Sequence, residues 1–454
     1  MIEYIKSKLG KIQNGYADVR FEVRKNTNIR MTNGRLEDLS IAKISGGSVR
    51  FFYKGAFGFA TFTKPEELED AIATAEKLAK LLKPETEIEL KPIKVFKDTV
   101  KPEVEIHPQD IPLESKIELV TNYHNLFKYN EKIVTKTVTY SENLVTKYFV
   151  SSEGAEIVEE RPYCGIAAQL VGQEGNIIQR AAKSFGDLRG YTTVLNKEAE
   201  FEKLLEDLVM LLRAEKVEGG VYTVILDPEI AGVFIHEAFG HLSEADHIYR
   251  NEKLKEIMTP GKIMASEILS VVDDGSMKGE RGYIAYDDDG VKSQKTYLIK
   301  NGKLVGRLHS RYTASLMDEE PTGNSRAITF SYMPIVRMTN TYIENGESSF
   351  DELLEGIEKG LYVVGALGGN TELEQFTFSA KMAYKIEKGK IIEPVRDVVL
   401  SGNLFETLKN IDKVGNDLRI FGGLGGCGKG GQMPLPVADG SPHIRIRNVV
   451  IGGR

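Results

Sequence analysis

Apolar and polar residues alternate over 18–25, with Val19, Phe21 and Val23 on one side and charged residues between them. That period of two predicts a half-buried strand. Asn33-Gly34 then marks a two-residue hairpin turn, and Gly46, Gly47, Gly55 and Gly58 punctuate further twisted, antiparallel strands up to Phe62. The period changes after Thr63, the expected cap of a helix with Pro65 and Glu66 in its first turn. Leu68, Ile72, Ala75, Leu78, Ala79 and Leu82 keep helical spacing along it. Residues 84–112, rich in Lys, Glu and Pro, read as a linker or irregular surface segment. A second helix is predicted over 113–128, with Ile117, Val120 and Phe127 as its stripe.

Strand signals return at 133–140 and, after a short turn, at 144–151; two more strands flank 172–176, with Cys164 on the first as a small buried residue. A third helix is expected at 197–214, with Phe201, Leu205, Leu208 and Leu212 on one face. Gly219-Gly220 breaks the pattern, which places a boundary between domains at 1–216 and 217–454. Past it come a strand at 221–226, a helix opened by Asp227-Pro228-Glu229, strands at 270–273, 282–286, 295–300 and 303–308, and a helix at 349–359. No fixed-period repeat is present. The fold class expected is α+β, each domain mixing antiparallel twisted sheet with helices, the C-terminal one strand-rich and containing a distorted helix at 231–247.

Charge and composition narrow the function. The chain has 454 residues and a formal net charge of −7, with a pI near 5.7, against a general nucleic-acid binder. Two cysteines, Cys164 and Cys427, are too few for a disulfide scaffold. The N-terminal stretch has no signal-peptide core, and no window is apolar enough to span a bilayer. A cytoplasmic protein with no membrane and no nucleic-acid partner is expected.

The chemistry concentrates in 231–247. Three of the seven histidines, His236, His241 and His247, fall within twelve positions, and Glu237 follows the first. Imidazoles bind zinc-like metals, and an adjacent carboxylate can take a proton from a metal-activated water. On a regular helix each residue turns about 100°, so positions five apart point about 140° away from each other. A metal shared by His236 and His241 therefore requires a π-bulge or a break, most easily at Gly240. The alternative is two unrelated histidines on opposite faces. A catalytic zinc usually takes three protein ligands, and Glu244, Asp246, His247 or a residue from elsewhere could supply the third.

A second unusual stretch, 421–432, has seven glycines in twelve residues around Cys427. It contains Gly-x-Gly-x-x-Gly and a near P-loop, but Gly430 stands where Ser or Thr would hold magnesium, and Gly430-Gly431 and Pro434 oppose a following helix. Nucleotide binding is disfavoured. The glycines allow backbone to approach a ligand closely, with Cys427 as a candidate thiolate ligand and Lys429 favouring its deprotonated form. The acidic runs 273–274, 287–289 and 318–320 lack the spacing of a calcium loop and read as turns and solvated patches. The loop 322–326 is polar and could face a substrate.

Together these stretches resemble the TldD/PmbA family, and more closely its TldD branch. The matching residues are His236-Glu237-Ala238-Phe239-Gly240-His241 with Glu244 and Asp246, Ser270–Ser276, Arg281-Gly282, Thr322-Gly323-Asn324 with Arg326, Arg337–Ile343, and Gly422–Lys429. The resemblance implies a metallopeptidase holding one Zn2+ through His236, His241 and Cys427, with Glu237 as general base. It implies a two-domain α+β fold and a dimer, either of like chains or with a PmbA/TldE-type partner. It also implies unfolded or flexible peptide substrates, bound extended in an enclosed cavity. The competing reading is a non-catalytic partner or scaffold subunit with a structural metal, which would have no use for Glu237.

Overall fold

The computed structural model describes residues 1–453 apart from 13, 85, 128, 129 and 373. Helices and antiparallel sheets are mixed throughout. In the first part, a seven-stranded sheet runs in the order Ala56–Phe62, Arg35–Tyr53, Tyr16–Thr32, Ile133–Ser151, Glu156–Glu174 and Lys97–Val100, with Ile177–Asp187 also paired to Glu156–Glu174. Four of these strands are 17 to 19 residues long. The turn expected near 141–143 is absent: Ile133–Ser151 is one strand, paired residue for residue with Tyr16–Thr32 over Asp18 to Thr32.

Alternation decides what covers this sheet. Ala17, Val19 and Phe21 face one side and pack under the helices Ile2–Leu9 and Leu68–Leu81. Ile29, Met31, Val138 and Tyr140 continue that face under Leu113–Leu126 and Glu198–Arg213. Leu68–Leu81 is preceded by a short 3-10 turn, where Lys64 rather than Thr63 occupies the cap position and the Glu67 carboxylate accepts the backbone N–H of both.

The opposite face is charged and yet buried. Asp18, Arg20, Glu22 and Arg50 are all less than 5% exposed, because the turn at 287–289 docks on them. Asp288 accepts from Lys147 (2.7 Å) and Arg20 (3.1 Å), and Asp289 from Arg50 (2.7 Å), which also holds Asp18. The runs at 273–274 and 287–289 are therefore interior rather than solvated; of the three acidic runs only 318–320 reaches the surface.

The C-terminal part carries a six-stranded sheet, ordered Lys303–Leu304, Lys295–Lys300, Val271–Asp274, Asn340–Ile343, Ala438–Ser441 and Arg419–Phe421. An eight-stranded sheet includes Lys359–Glu372, Gly220–Leu226, Ile444–Gly453, Val398–Asn403 and Gln375–Glu387 in that order, and the first and last of these five also pair, closing a ring. Two strand expectations shrink: 282–286 is irregular, with a single bridge from Tyr286 to Lys292, and only Lys303–Leu304 of 303–308 forms a ladder. The expected helix at 349–359 ends at Leu354, because Lys359 already begins a sheet strand.

Between the two sheets lies the helix Pro228–Ile235. Asp227 caps it by accepting the Ile230 N–H, with Pro228 in the first position. It is apolar apart from Glu229, which pairs with Lys183 and Lys381, and most of its side chains are buried, as a helix packed between two sheets requires. A Cβ on Gly232 would meet the Gly440 nitrogen at 2.8 Å, so helix and strand Ala438–Ser441 touch backbone to backbone. Among the described residues no helix is long and apolar enough to cross a membrane.

The contact at 287–289 has a pH signature. Burial alone would raise the Asp288 carboxyl, but Lys147 and Arg20 hold it below the ordinary carboxylate range. A depressed carboxyl contributes stability above its unfolded pKa, about 3.9, and loses it as pH falls towards the folded value. Denaturant unfolding below about pH 4 is expected to show this loss. Asp288→Asn should flatten the slope there and cost about 3–5 kcal/mol at neutral pH; an unchanged slope would refute the assignment.

Candidate metal centre

At the end of Pro228–Ile235 the helix widens. Residues His236–Gly240 form a π turn, in which the His241 N–H donates to the His236 carbonyl five residues back. A wider turn rotates less per residue, so positions five apart return towards one face. The His236 and His241 rings stand 5.3 Å apart between centroids and nearly perpendicular. A Cβ on Gly240 would lie 2.0 Å from the Met338 sulfur, so any larger residue must push that side chain aside where the distorted turn passes it.

The third group comes from far along the chain. Cys427 opens a short hairpin, Cys427–Lys429 with Gln432–Leu435, and its Sγ lies 3.3 Å from His241 Nε2. The candidate donor atoms of His236, His241 and Cys427 lie within 4.8 Å of one another. Two nitrogens and a thiolate sulfur suit zinc, and a tetrahedral site would separate an N and an S ligand by about 3.5 Å. The residues present fit the ion.

Each ring is also backed by a carboxylate. Glu244 Oε2 lies 3.0 Å from His241 Nδ1. Asp439 Oδ1 lies 2.7 Å from His236 Nδ1, near enough to pair charges but out of line for a hydrogen bond. A carboxylate hydrogen-bonded behind an imidazole, as Glu244 is behind His241, fixes its tautomer and keeps the far nitrogen's lone pair aimed at a metal. Glu237 is 33% exposed, and its Oε2 lies 3.9 Å from His241 Nε2, beside the three donors but not among them.

Burial alone would raise the Cys427 thiol, but hydrogen bonds with His236 and His241 bring it down to about 6. Burial alone would lower His241, but hydrogen bonds with Cys427 and Glu244 bring it up to about 9. Lys429 is not what acidifies the thiol. Its ammonium lies 2.9 Å from Glu244 and 2.6 Å from Asp246 and donates to the Val336 carbonyl. It fills the space between Glu244, Asp246 and His247, the other clustered group of potential ligands. Of these candidates for a third ligand, Glu244 supports His241, Asp246 anchors Lys429, and His247 stands half exposed.

The glycine-rich stretch has a different use from the expected one at its start. A Cβ on Gly422 would meet the Gly186 carbonyl at 2.0 Å, and the Gly423 N–H donates to that same oxygen. Backbone approaches backbone there, seating the stretch on strand Ile177–Asp187. Three buried arginines then hold the hairpin by its carbonyls: Arg281 donates to Gly425, Arg337 to Cys427 and Gln432, and Arg326 to Pro436. The loop 322–326 is itself buried, with Asn324 bridging Asp273 and the Arg337 carbonyl. Burial pushes the Cys164 thiol up to about 12, in keeping with a small interior residue.

Asp439 and the clamping role of the arginines have no signal in sequence spacing. Asp439 sits on a four-residue strand whose register between Asn340–Ile343 and Arg419–Phe421 turns it to His236.

Three family models match successive parts of the chain, described as PmbA/TldA metallopeptidase domain 1 (residues 17–79), central domain (106–215) and C-terminal domain (219–453). A protein of Synechocystis sp. named a metalloprotease is 40% identical over 443 residues, covering 97% of this chain and 95% of that protein. A zinc metalloprotease TldD homolog of Saccharolobus solfataricus is 29% identical over 458 residues and all of both chains. The fold is similar to that of a Thermotoga maritima protein named for modulation of DNA gyrase (TM-score 0.82, 20% identity, 100% of both chains). It is similar also to TldE from Thermococcus kodakarensis (TM-score 0.76, 20% identity, 100% of this chain and 99% of that one). The chain belongs to the PmbA/TldD family of metallopeptidases, whose three domain models it matches in order.

Proposed function

We propose that this chain is a zinc-dependent peptidase acting on unfolded or flexible peptides, with His236, His241 and Cys427 holding one Zn2+ and Glu237 as general base. The observation that carries the reading is the convergence of two imidazoles and a thiol within 4.8 Å beside a partly exposed carboxylate. When bound, zinc lowers the pKa of a coordinated water towards about 7 and polarises the scissile carbonyl.

Glu237 takes one proton as the water oxygen attacks the carbonyl carbon. It gives that proton to the amide nitrogen as the C–N bond breaks, and the second water proton passes from the new carboxylic acid to the amine, leaving a carboxylate and an ammonium group. Asp439 and Glu244 keep the two rings oriented, and Arg337 fixes the backbone of Cys427 from below. A structural metal site would not need Glu237, and this favours catalysis over a scaffold role. The division at 216/217 belongs to the same proposal: the second part supplies every donor, and the first supplies a charged wall beside them. The partner is proposed to be a second copy or a PmbA/TldE-like chain, in line with the fold likeness to TldE.

In Glu237→Gln, zinc measured by mass spectrometry should stay at one per chain while kcat/KM falls about 10²- to 10⁴-fold. Retained cleavage would sink the base assignment. Cys427→Ser should lose the metal and activity together. Gly240→Ala should cost about 1–3 kcal/mol in denaturant unfolding by forcing Met338 aside and should lower zinc content; an unperturbed variant would mean that the π turn does not hold the ligand geometry.

A further inference from the structure

A cavity of about 300 Å3 lies between the charged face of the seven-stranded sheet and the segment around Cys427, with Leu424, Leu435, Arg281 and Arg326 in its wall. Its charges are unevenly satisfied. Glu22 is paired with Arg24 at 2.7 Å, and Asp288 lies between Lys147 and Arg20. Arg161 is paired with Glu159. Asp287 accepts three backbone N–H groups, and burial pushes its carboxyl well above the ordinary range, towards the neutral form.

Arg281 and Arg326 are the exceptions. They are 8% and 4% exposed, and among the described residues neither has a carboxylate within ion-pair distance. Among the described residues their guanidinium groups donate to the carbonyls of Gly425, Met338 and Pro436, and that of Arg281 also lies over the Tyr163 ring. Burial lowers Arg326 to about 10, which leaves it a cation at neutral pH. A buried cation without a counter-charge is unfavourable unless something anionic arrives. Arginine's planar fork is the natural partner of a carboxylate.

The distance to the metal centre fits a peptide. Gly425, whose carbonyl Arg281 holds, precedes Cys427 by two residues, at most about 7 Å of extended chain. Leu435, in the cavity wall, pairs across the hairpin with Cys427 itself. We infer that this cavity binds a carboxylate of the substrate peptide through Arg281 and Arg326, either the chain-terminal α-carboxylate or an acidic side chain within a residue or two of the cleaved bond. The inference rests on the peptidase reading and gives it a substrate class: peptides presenting a negative charge close to the scissile bond.

The test uses the zinc-loaded full chain and four peptides of one sequence, with a free or amidated C-terminus and with Glu or Gln next to it. Wild type is expected to favour the carboxylate form by about 10- to 100-fold in kcat/KM, as for a hydrogen bond to a charged group. Preference for the free terminus or for Glu identifies the source. In Arg281→Gln the ratio of acid to neutral peptide should collapse towards 1, and Arg281→Lys should recover part of it. A merely structural arginine would slow all four peptides alike and leave the ratio unchanged, which would overturn the inference. So would equal cleavage of all four by wild type, with the peptidase reading intact. If wild type cleaves none, that reading fails, and calorimetric titration of the same four peptides decides the carboxylate question: tighter binding of the charged forms supports it, and equal or absent binding overturns it.

Discussion

The two parts of the chain are held together across a charged sheet face that is buried. A strand with Val19 and Phe21 on one side and Asp18, Arg20 and Glu22 on the other would ordinarily leave its polar side in water. Here the Asp287–Asp289 turn supplies the missing counter-charges, and side chains of both signs are sealed inside. Desolvating so many ions is tolerable only when each is paired at close range. The pairing fixes the first part of the chain against the second and forms one wall of the cavity beside Cys427.

The candidate centre is built on the same economy of charge. Two imidazoles and a thiol face one another, carboxylates stand behind both rings, and Lys429 neutralises Glu244 and Asp246 at the back. The hairpin bearing the thiol reaches its surroundings through the side chains of Lys429 and Gln432, which donate to Asp246 and to the Met333 carbonyl. Its position is set by arginines reaching its carbonyls and by the contact of Gly422 with Gly186, so its shape is imposed by its surroundings.

Local features of this design are legible in the sequence because they depend on neighbouring residues. The five-residue spacing of His236 and His241 demands a widened turn, and Gly240 is where it is found. The helices at 68–81, 113–126 and 198–213 follow from apolar spacing, and the α+β class follows from its mixture with strand patterns. What escapes is whatever depends on distant pairing. The acidic run 287–289 has the composition of a solvated turn, and only Arg20, Arg50 and Lys147, more than 130 residues away, make it interior. Asp439 behind His236 is invisible for the same reason. The division of labour within 422–431, where Gly422 packs on Gly186 while Cys427 faces the histidines, cannot be deduced from glycine content.

The closed ring of strands in the second part bears on how the molecule comes into being. Gly220–Leu226 is bounded on one side by Lys359–Glu372 and on the other by the strand Ile444–Gly453. The helix that leads to His236 packs directly against this region. During synthesis from the N-terminus, the seven-stranded sheet can form early. The strand that precedes the histidines stays without one of its neighbours until Ile444–Gly453 has been synthesised. Formation of the candidate centre is thus tied to the arrival of Ile444–Gly453, and a chain terminated before that strand would carry the histidines without the framework that brings Cys427 to them.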